Sequence, residues 1–451
     1  MLGFRLAFYG DDFTGSADAL QALCQGGVRT VLFTTPPTEA ELEQFDNLEA
    51  IGIAGQSRSM TPDEMDEKLR PILQFLNELD TPLIHYKVCS TFDSAPDVGN
   101  IGHVINMGAE ITGSSYVPLA VGVPELGRFV VFANHFAHFD DEVYRLDRHP
   151  VMRDHPITPM DESDLRKHLA EQTTKTVANV DVRTLAEPID TIRSDIGALT
   201  DDAEIVLFDT LTRDHLEKVG EILWTEAQES ATPLFTVGSS GVEYALSHHW
   251  KKTGESSRSP TFPAADTVEQ LVVVSGSASP VTDDQIGWAV ENDFTPIRLN
   301  TSKLVDPNAA RSEVQRAVAD AVATVNKGNS VVLFTARGPG DRAISRTREK
   351  ARELELQENT GRVIGERQGE ILREILLETD LERACVSGGD TCSYVTPELA
   401  IYALEMVVPT APGSPLCLAH SRNSNFDGLE IALKGGQLGQ TDYYGRIREG
   451  R

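Results

Sequence analysis

Short apolar runs separated by segments of helical spacing recur along almost the whole 451-residue chain, and this alternation limits the fold more than any other feature. Residues 31–34, 50–54, 83–87, 129–133, 205–209 and 234–237 read as strands. Between them, segments such as 62–79, 161–173 and 211–228 place apolar residues three and four apart. Strands joined through helices pair in parallel, so a mostly parallel sheet is expected. Residues 251–268 are polar and rich in Ser and Pro, as a linker would be. The alternation then restarts at 271–275, 297–299, 331–335, 385–387 and 406–408. The expected fold class is therefore α/β, with two α/β domains, mostly parallel sheets and an interdomain active-site cleft. The domains are set at 1–255 and 265–451.

The first strand leads into Phe8-Tyr9-Gly10-Asp11-Asp12-Phe13-Thr14-Gly15-Ser16-Ala17-Asp18. The apolar run at 2–9 precedes it, and helical spacing starts at Thr14 with Ala17, Leu20, Leu23 and Cys24. Both carboxylates thus fall in a strand-to-helix turn, the place where open α/β sheets bind ligands. Gly10 and Gly15 permit a tight turn, Thr14 is expected to cap the helix, and the helix N-terminus favours an anion. The plain alternative is an Asp-rich surface turn.

Several Gly-rich turns mark the second half. Gly338-Pro339-Gly340-Asp341-Arg342-Ala343 follows a strand and has the outline of a dinucleotide turn. Pro339, however, removes a backbone donor, and the segment 344–356 is too polar to pack tightly beneath a sheet. Ser275-Gly276-Ser277, Ser387-Gly388-Gly389-Asp390-Thr391, Gly413 and Lys434-Gly435-Gly436 each follow a short apolar run. Turns of this kind, brought to one sheet edge, can wrap a phosphate chain in backbone N–H groups, with Lys434 as the cation. No Gly-x-x-x-x-Gly-Lys-Ser/Thr occurs, so a P-loop is excluded.

The net charge of −29 argues against non-specific nucleic-acid binding and against adhesion to anionic membranes. Five cysteines without a Cys-x-x-Cys pair fit a reduced compartment better than a disulfide framework. No apolar run reaches membrane-spanning length and no cleavable leader is evident, so a cytoplasmic location is expected. His135, His138, His149 and His155 have no accompanying Glu-containing helical motif, and metal ligands are left unassigned. Trp224, Trp250 and Trp288 read as core or interface residues.

Asp11-Asp12-Phe13-Thr14-Gly15-Ser16-Ala17-Asp18 resembles the N-terminal motif of the four-carbon acid sugar kinases. Val237-Gly238-Ser239-Ser240-Gly241, Ser275-Gly276-Ser277, Gly388-Gly389-Asp390-Thr391, Pro412-Gly413 and Lys434-Gly435-Gly436 follow in that family's order, so the resemblance spans nearly the whole chain. It implies an N-terminal domain for a sugar acid, a C-terminal domain for ATP with Mg²⁺, and phosphorylation of a terminal hydroxyl. By the same resemblance Ser277, Gly388, Gly389, Asp390, Thr391 and Gly413 look like the ATP contacts, to which the reading of the turns adds Lys434. Asp12 is the first candidate to orient or deprotonate the acceptor, with Asp11 as its alternate. Many members carry Lys-Asp-Ser-Thr-Leu-Arg-Gly where this chain has Lys87-Val88-Cys89-Ser90-Thr91-Phe92-Asp93. The family's arginine is thus absent here, and Arg58, Lys87 or the Arg145–His149 cluster must neutralise the acid. Ser90, Thr91 and Asp93 complete the expected substrate contacts. This departure points away from a plain tetronate and toward a 3-oxo-tetronate or a branched 3-oxo acid such as 3-oxo-isoapionate. The competing readings are an NAD(P)-dependent sugar-acid dehydrogenase using the Gly338 turn and a non-catalytic sugar-acid sensor. The expected partners are a small sugar acid and ATP, with homo-oligomerisation left open.

Overall fold

The computed structural model describes residues 3–139, 141–153, 158–256 and 260–451. His155 and part of the expected linker, 257–259, lie outside the described residues. The chain divides into two compact units, one of residues up to 31 with 35–260 and one of 32–34 with 261–451.

The strands before residue 260 are β1 (Leu6–Gly10), β2 (Thr30–Phe33, whose last two residues belong to the second unit), β3 (Ala50–Ala54), β4 (Leu83–Lys87), β5 (Val117–Ala120), β6 (Arg128–Val131), β7 (Asn134–Phe139), β8 (Glu142–Arg145), β9 (Val177–Val180), β10 (Ile205–Phe208) and β11 (Leu234–Gly238). A parallel sheet runs in the order β3-β1-β4-β11-β5-β10-β9. Every residue of β1, β3, β4, β5, β10 and β11 is buried, as strands covered on both faces require. All carboxyl ends lie on one edge. β5 escapes a sequence reading because Pro118 sits in its middle, a residue that normally argues against an interior strand.

Residues 62–79 form two helices, Pro62–Lys68 and Arg70–Glu78, rather than one. Pro71 at the start of the second has no N–H to continue the first. A small antiparallel sheet, β6-β7-β8, is fixed at the carboxyl edge of the main one. Val130 in β6 exchanges both backbone hydrogen bonds with Thr210, just beyond β10, at 3.0 and 2.8 Å. β6 stops at Val131 because Phe132 and Ala133 turn with φ of 50° and 64°. The buried Asp209 carboxylate accepts both of their N–H groups, which offsets the cost of that conformation.

In the second unit β12 (Val272–Ser275), β13 (Phe294–Arg298), β14 (Ser330–Phe334), β15 (Arg383–Ser387), β16 (Ile401–Val408), β17 (Leu416–Ser421) and β18 (Glu430–Lys434) follow the order β13-β14-β12-β15-β18-β17-β16. The first five are parallel, while β17 pairs antiparallel with both β18 and β16. Leu271, Val273, Ile286, Phe294, Val332, Cys385, Tyr443 and Tyr444 belong to one buried cluster. The helix Arg342–Glu353 buries only Thr347 and Ala351, consistent with its polar sequence. Among the described residues no helix is long and apolar enough to cross a membrane.

Candidate active site

Three neighbouring strands of the first unit place their following turns side by side. β1 leads to Asp11 and Asp12, β3 to Arg58 in the short turn Ser57–Ser59, and β4 to Lys87 and the loop at 88–93. The helix α1 (Phe13–Gln25) begins with Asp12, not Thr14, as its cap. Asp12 Oδ1 accepts from Gly15 N at 2.9 Å, while the Thr14 hydroxyl donates to Asp12 Oδ2 at 3.0 Å. Thr14 therefore supports the cap instead of forming it. Gly10 is required here, because a Cβ would overlap the Ser16 hydroxyl, which donates to the Asp12 carbonyl at 2.6 Å.

The two carboxylates end in opposite electrostatic states. Asp12 pairs with Arg58 Nη2 at 2.8 Å and lies 3.8 Å from Lys87 Nζ. Burial alone would raise its pKa, but Arg58 and Lys87, with the Thr14 and Gly15 hydrogen bonds, outweigh burial and hold it down at about 2. Asp11 is buried; its Oδ2 accepts from Cys89 N at 3.2 Å and its Oδ1 has no partner. Burial, and then the Asp12 charge, push its pKa up to about 7. Lys87 remains charged despite burial because Asp12 and Asp11 outweigh the loss of water. Arg58 Nη1 also reaches Asp93 at 3.7 Å, and the Thr91 hydroxyl donates to Asp93. Burial works against the Asp93 charge, but Arg58 and Thr91 keep it below the ordinary range. Asp11, Asp12, Arg58, Lys87, Thr91 and Asp93 thus form one connected cluster. Ser90 lies in the same loop, and among the described residues its side chain makes no hydrogen bond into the cluster. Arg145 belongs elsewhere, in a bidentate pair with Asp147.

In the second unit Ser275, Ser387 and Lys434 are the last residues of β12, β15 and β18 and stand in register across the three parallel strands. Lys434 is fully buried, donates to Ser387 Oγ at 2.9 Å and lies 5.8 Å from the Tyr443 ring centroid. No carboxylate pairs with it among the described residues, and burial lowers its pKa to about 8. The turns beyond these strands touch. Gly276 N donates to Ser387 O, Gly388 N donates to Lys434 O, and Thr282 Oγ1 and Ser279 Oγ both donate to Gly436 O. A Cβ on Gly276 would overlap Thr391 Oγ1, and one on Gly436 would overlap Ser277 Oγ. Gly388, at φ 129°, opens the helix Gly389–Glu398, with Asp390 exposed in its first turn. Ser277, Gly388, Gly389, Thr391 and Lys434 are thereby gathered around a buried cation and a helix N-terminus, a cradle suited to phosphate. Gly413, at φ 71°, stands apart in the turn between β16 and β17, linked through Ser414 O to Tyr443 Oη at 3.1 Å. Thr282 and Tyr443 escape a reading by motif because helices bring them in from other parts of the chain.

A cluster of carboxylates and cations in one α/β unit, with glycine-lined turns beside a buried lysine in the other, is an arrangement compatible with a phosphotransferase acting on a small molecule. Family models described as a sugar-binding N-terminal domain and a nucleotide-binding C-terminal domain match residues 6–246 and 272–444. The chain belongs to the four-carbon acid sugar kinase family and is a kinase of small sugar acids. It is 40% identical over 451 residues to a 3-oxo-isoapionate kinase of Paraburkholderia graminis, covering 100% of this chain and 95% of that one. It is 29% identical over 444 residues to a 3-oxo-tetronate kinase of Pseudomonas savastanoi pv. phaseolicola, covering 97% and 95%. A solved chain from Salmonella typhimurium LT2 shares the fold, with a TM-score of 0.79, 22% identity and coverage of 99% and 98%.

Proposed function

We propose that this kinase transfers the γ-phosphoryl group of ATP to a hydroxyl of 3-oxo-isoapionate. The observation that carries the choice of acceptor is the 40% identity along the full length of a kinase of that name, against 29% and 25% for 3-oxo-tetronate kinases.

In this reading the acceptor hydroxyl oxygen attacks the γ-phosphorus, the bond to the ADP oxygen breaks, and the hydroxyl proton passes to Asp11. Phosphoryl transfer depends mostly on positioning and charge, so each cluster has a defined task. Asp11 suits the base, being unpartnered at Oδ1 and poised near neutrality. Asp12 is held ionised by Arg58 and Lys87 and keeps those cations in place, which makes it the organiser of the turn. Ser90, Thr91 and Asp93 are assigned to the sugar's oxygens. Lys434 and the turns at Ser277 and Gly388–Thr391 hold the phosphates, with Gly413 on the nucleotide's outer part. Among the described residues no group of three or more His, Cys, Asp or Glu could hold a metal ion alone. Magnesium bound with the nucleotide would disperse phosphate charge, and Asp390, exposed in the first turn of the helix Gly389–Glu398, is the carboxylate that would hold it.

The test is ADP release with 3-oxo-isoapionate, 3-oxo-tetronate and plain tetronates supplied in turn. The expected result is release that depends on the acceptor, with the highest kcat/KM for 3-oxo-isoapionate. A higher kcat/KM for 3-oxo-tetronate overturns the choice of acceptor, and nicotinamide reduction without ADP release overturns the kinase mechanism.

A further inference from the structure

A kinase of acids must accommodate a carboxylate, yet the cations at the Asp11–Asp12 turn are already engaged. Arg58 bridges Asp12 and Asp93, and Lys87 faces Asp12. With Asp11 ionised, as its role as base requires, the two cations there already face three anions.

Arg128 differs from these two cations in having no carboxylate partner among the described residues. It opens β6, in the connection that leaves the carboxyl end of β5, on the same edge as the other turns. Its Nη1 donates to the carbonyls of Leu126, Gly127 and His138 at 3.1, 3.3 and 3.4 Å. Its Nε is buried without a partner, its Nη2 makes no hydrogen bond, and no carboxylate pairs with it among the described residues. Burial depresses its pKa, and its ionisable neighbour is Cys89, whose buried thiol stays neutral and offers no counter-charge. Cys89 is also the residue whose N–H holds Asp11 Oδ2. On the next strand His135 is fully buried and kept neutral by burial and by the Arg128 charge, so it adds no competing cation.

A partly buried guanidinium without an anion is costly, and an unmet buried donor asks for an explanation. Three carbonyls fix the plane of this one through Nη1. They leave unpartnered the Nε–Nη2 edge, which matches a carboxylate side-on through two parallel hydrogen bonds. We propose that Arg128 receives the sugar acid's carboxylate on that edge and so sets which end of the substrate lies away from Asp11. The inference rests on the sugar-acid kinase reading and adds to it the residue that selects an acid over a neutral sugar.

The test compares the parent with Arg128→Gln and Arg128→Lys, at saturating ATP, on the sugar acid the parent uses best and on its uncharged carboxamide. Loss of one partner of a buried charged pair predicts a KM for the acid raised roughly 30-fold or more in Arg128→Gln. The carboxamide KM and the ATP KM should stay within about threefold, and Arg128→Lys, which keeps the charge and loses the fork, should fall between. A folded Arg128→Gln with an unchanged KM, or with equal losses for acid and carboxamide, overturns the assignment. If Arg128→Gln does not fold, Arg128→Lys decides by the same acid-to-carboxamide comparison. A parent that phosphorylates no sugar acid overturns the kinase reading. Thermal-shift binding of 3-oxo-isoapionate to parent and variants then still decides Arg128.

Discussion

Asp11→Asn should remove activity and add stability, and both effects follow from one buried carboxyl. The folded protein raises the pKa of Asp11 from the ordinary 3.8 to about 7, burial being the main cause and Asp12 the next. A carboxyl that binds its proton more tightly when folded stabilises the fold where it is protonated. That contribution is complete below about pH 4 and is lost as pH rises toward 7. At about 1.4 kcal/mol per pK unit, the parent gives up roughly 4 kcal/mol across that window. Asparagine cannot ionise, and its carbonyl oxygen can still accept the Cys89 N–H. The variant should match the parent in stability near pH 4 and exceed it by up to about 4 kcal/mol at pH 8. Urea unfolding at a series of pH values reads this as a difference, because the parent's midpoint should decline relative to the variant's between pH 4 and 7. In the ADP-release assay the same variant should lose roughly 10²–10⁴ in kcat, the range for a missing general base. Near-normal turnover, or a variant less stable than the parent at pH 8, would refute the reasoning.

Asp12→Asn keeps a competent helix cap but removes the anion facing Arg58 and Lys87. It should destabilise the unit by about 3 kcal/mol. Asp11 then loses a repelling neighbour while Lys87 and Arg58 are less neutralised, so the acid limb of the pH–rate profile, near pH 7 in the parent, should move to lower pH. Lys434→Met should raise the nucleotide KM by about two orders of magnitude without changing the sugar-acid KM. It should also abolish the weakening of nucleotide binding expected of the parent as pH rises through about 8, where Lys434 loses its proton. Gly276→Val should block nucleotide binding, seen by calorimetry, because its side chain would occupy the place of Thr391 Oγ1. Sugar-acid binding should persist in that variant.

The parts of the site readable in the sequence were those set by neighbours along the chain. A strand, two acids, a glycine and a helical period describe the Asp11–Asp12 turn completely, and the Gly388 and Lys434 turns announce themselves in the same way. Which residue caps α1 was less legible, since Asp12 and Thr14 are both good caps and the choice depends on where Arg58 comes to rest. The ranking of the two acids was hidden for a similar reason. Burial and ion pairing separate Asp11 from Asp12, and Arg58 and Lys87 arrive from other strands. Arg128 carries no motif at all. Its position depends on the Val130–Thr210 pairing and on a strand, β5, whose proline masks it.

The row of Ser275, Ser387 and Lys434 has a consequence for how this catalyst can be altered by selection. Their spacing is set by strands hydrogen-bonded about 4.8 Å apart, so it is insensitive to the length of the turns beyond them. Inserting one residue within β18 would instead turn Lys434 to the opposite face of the sheet. The residues assigned to the acid lie outside that row, in the segment 88–93 and at the start of β6. Substitutions confined to Ser90 and Arg128 should therefore change the acceptor without disturbing nucleotide binding, while insertions within the strand row should return no protein that binds nucleotide.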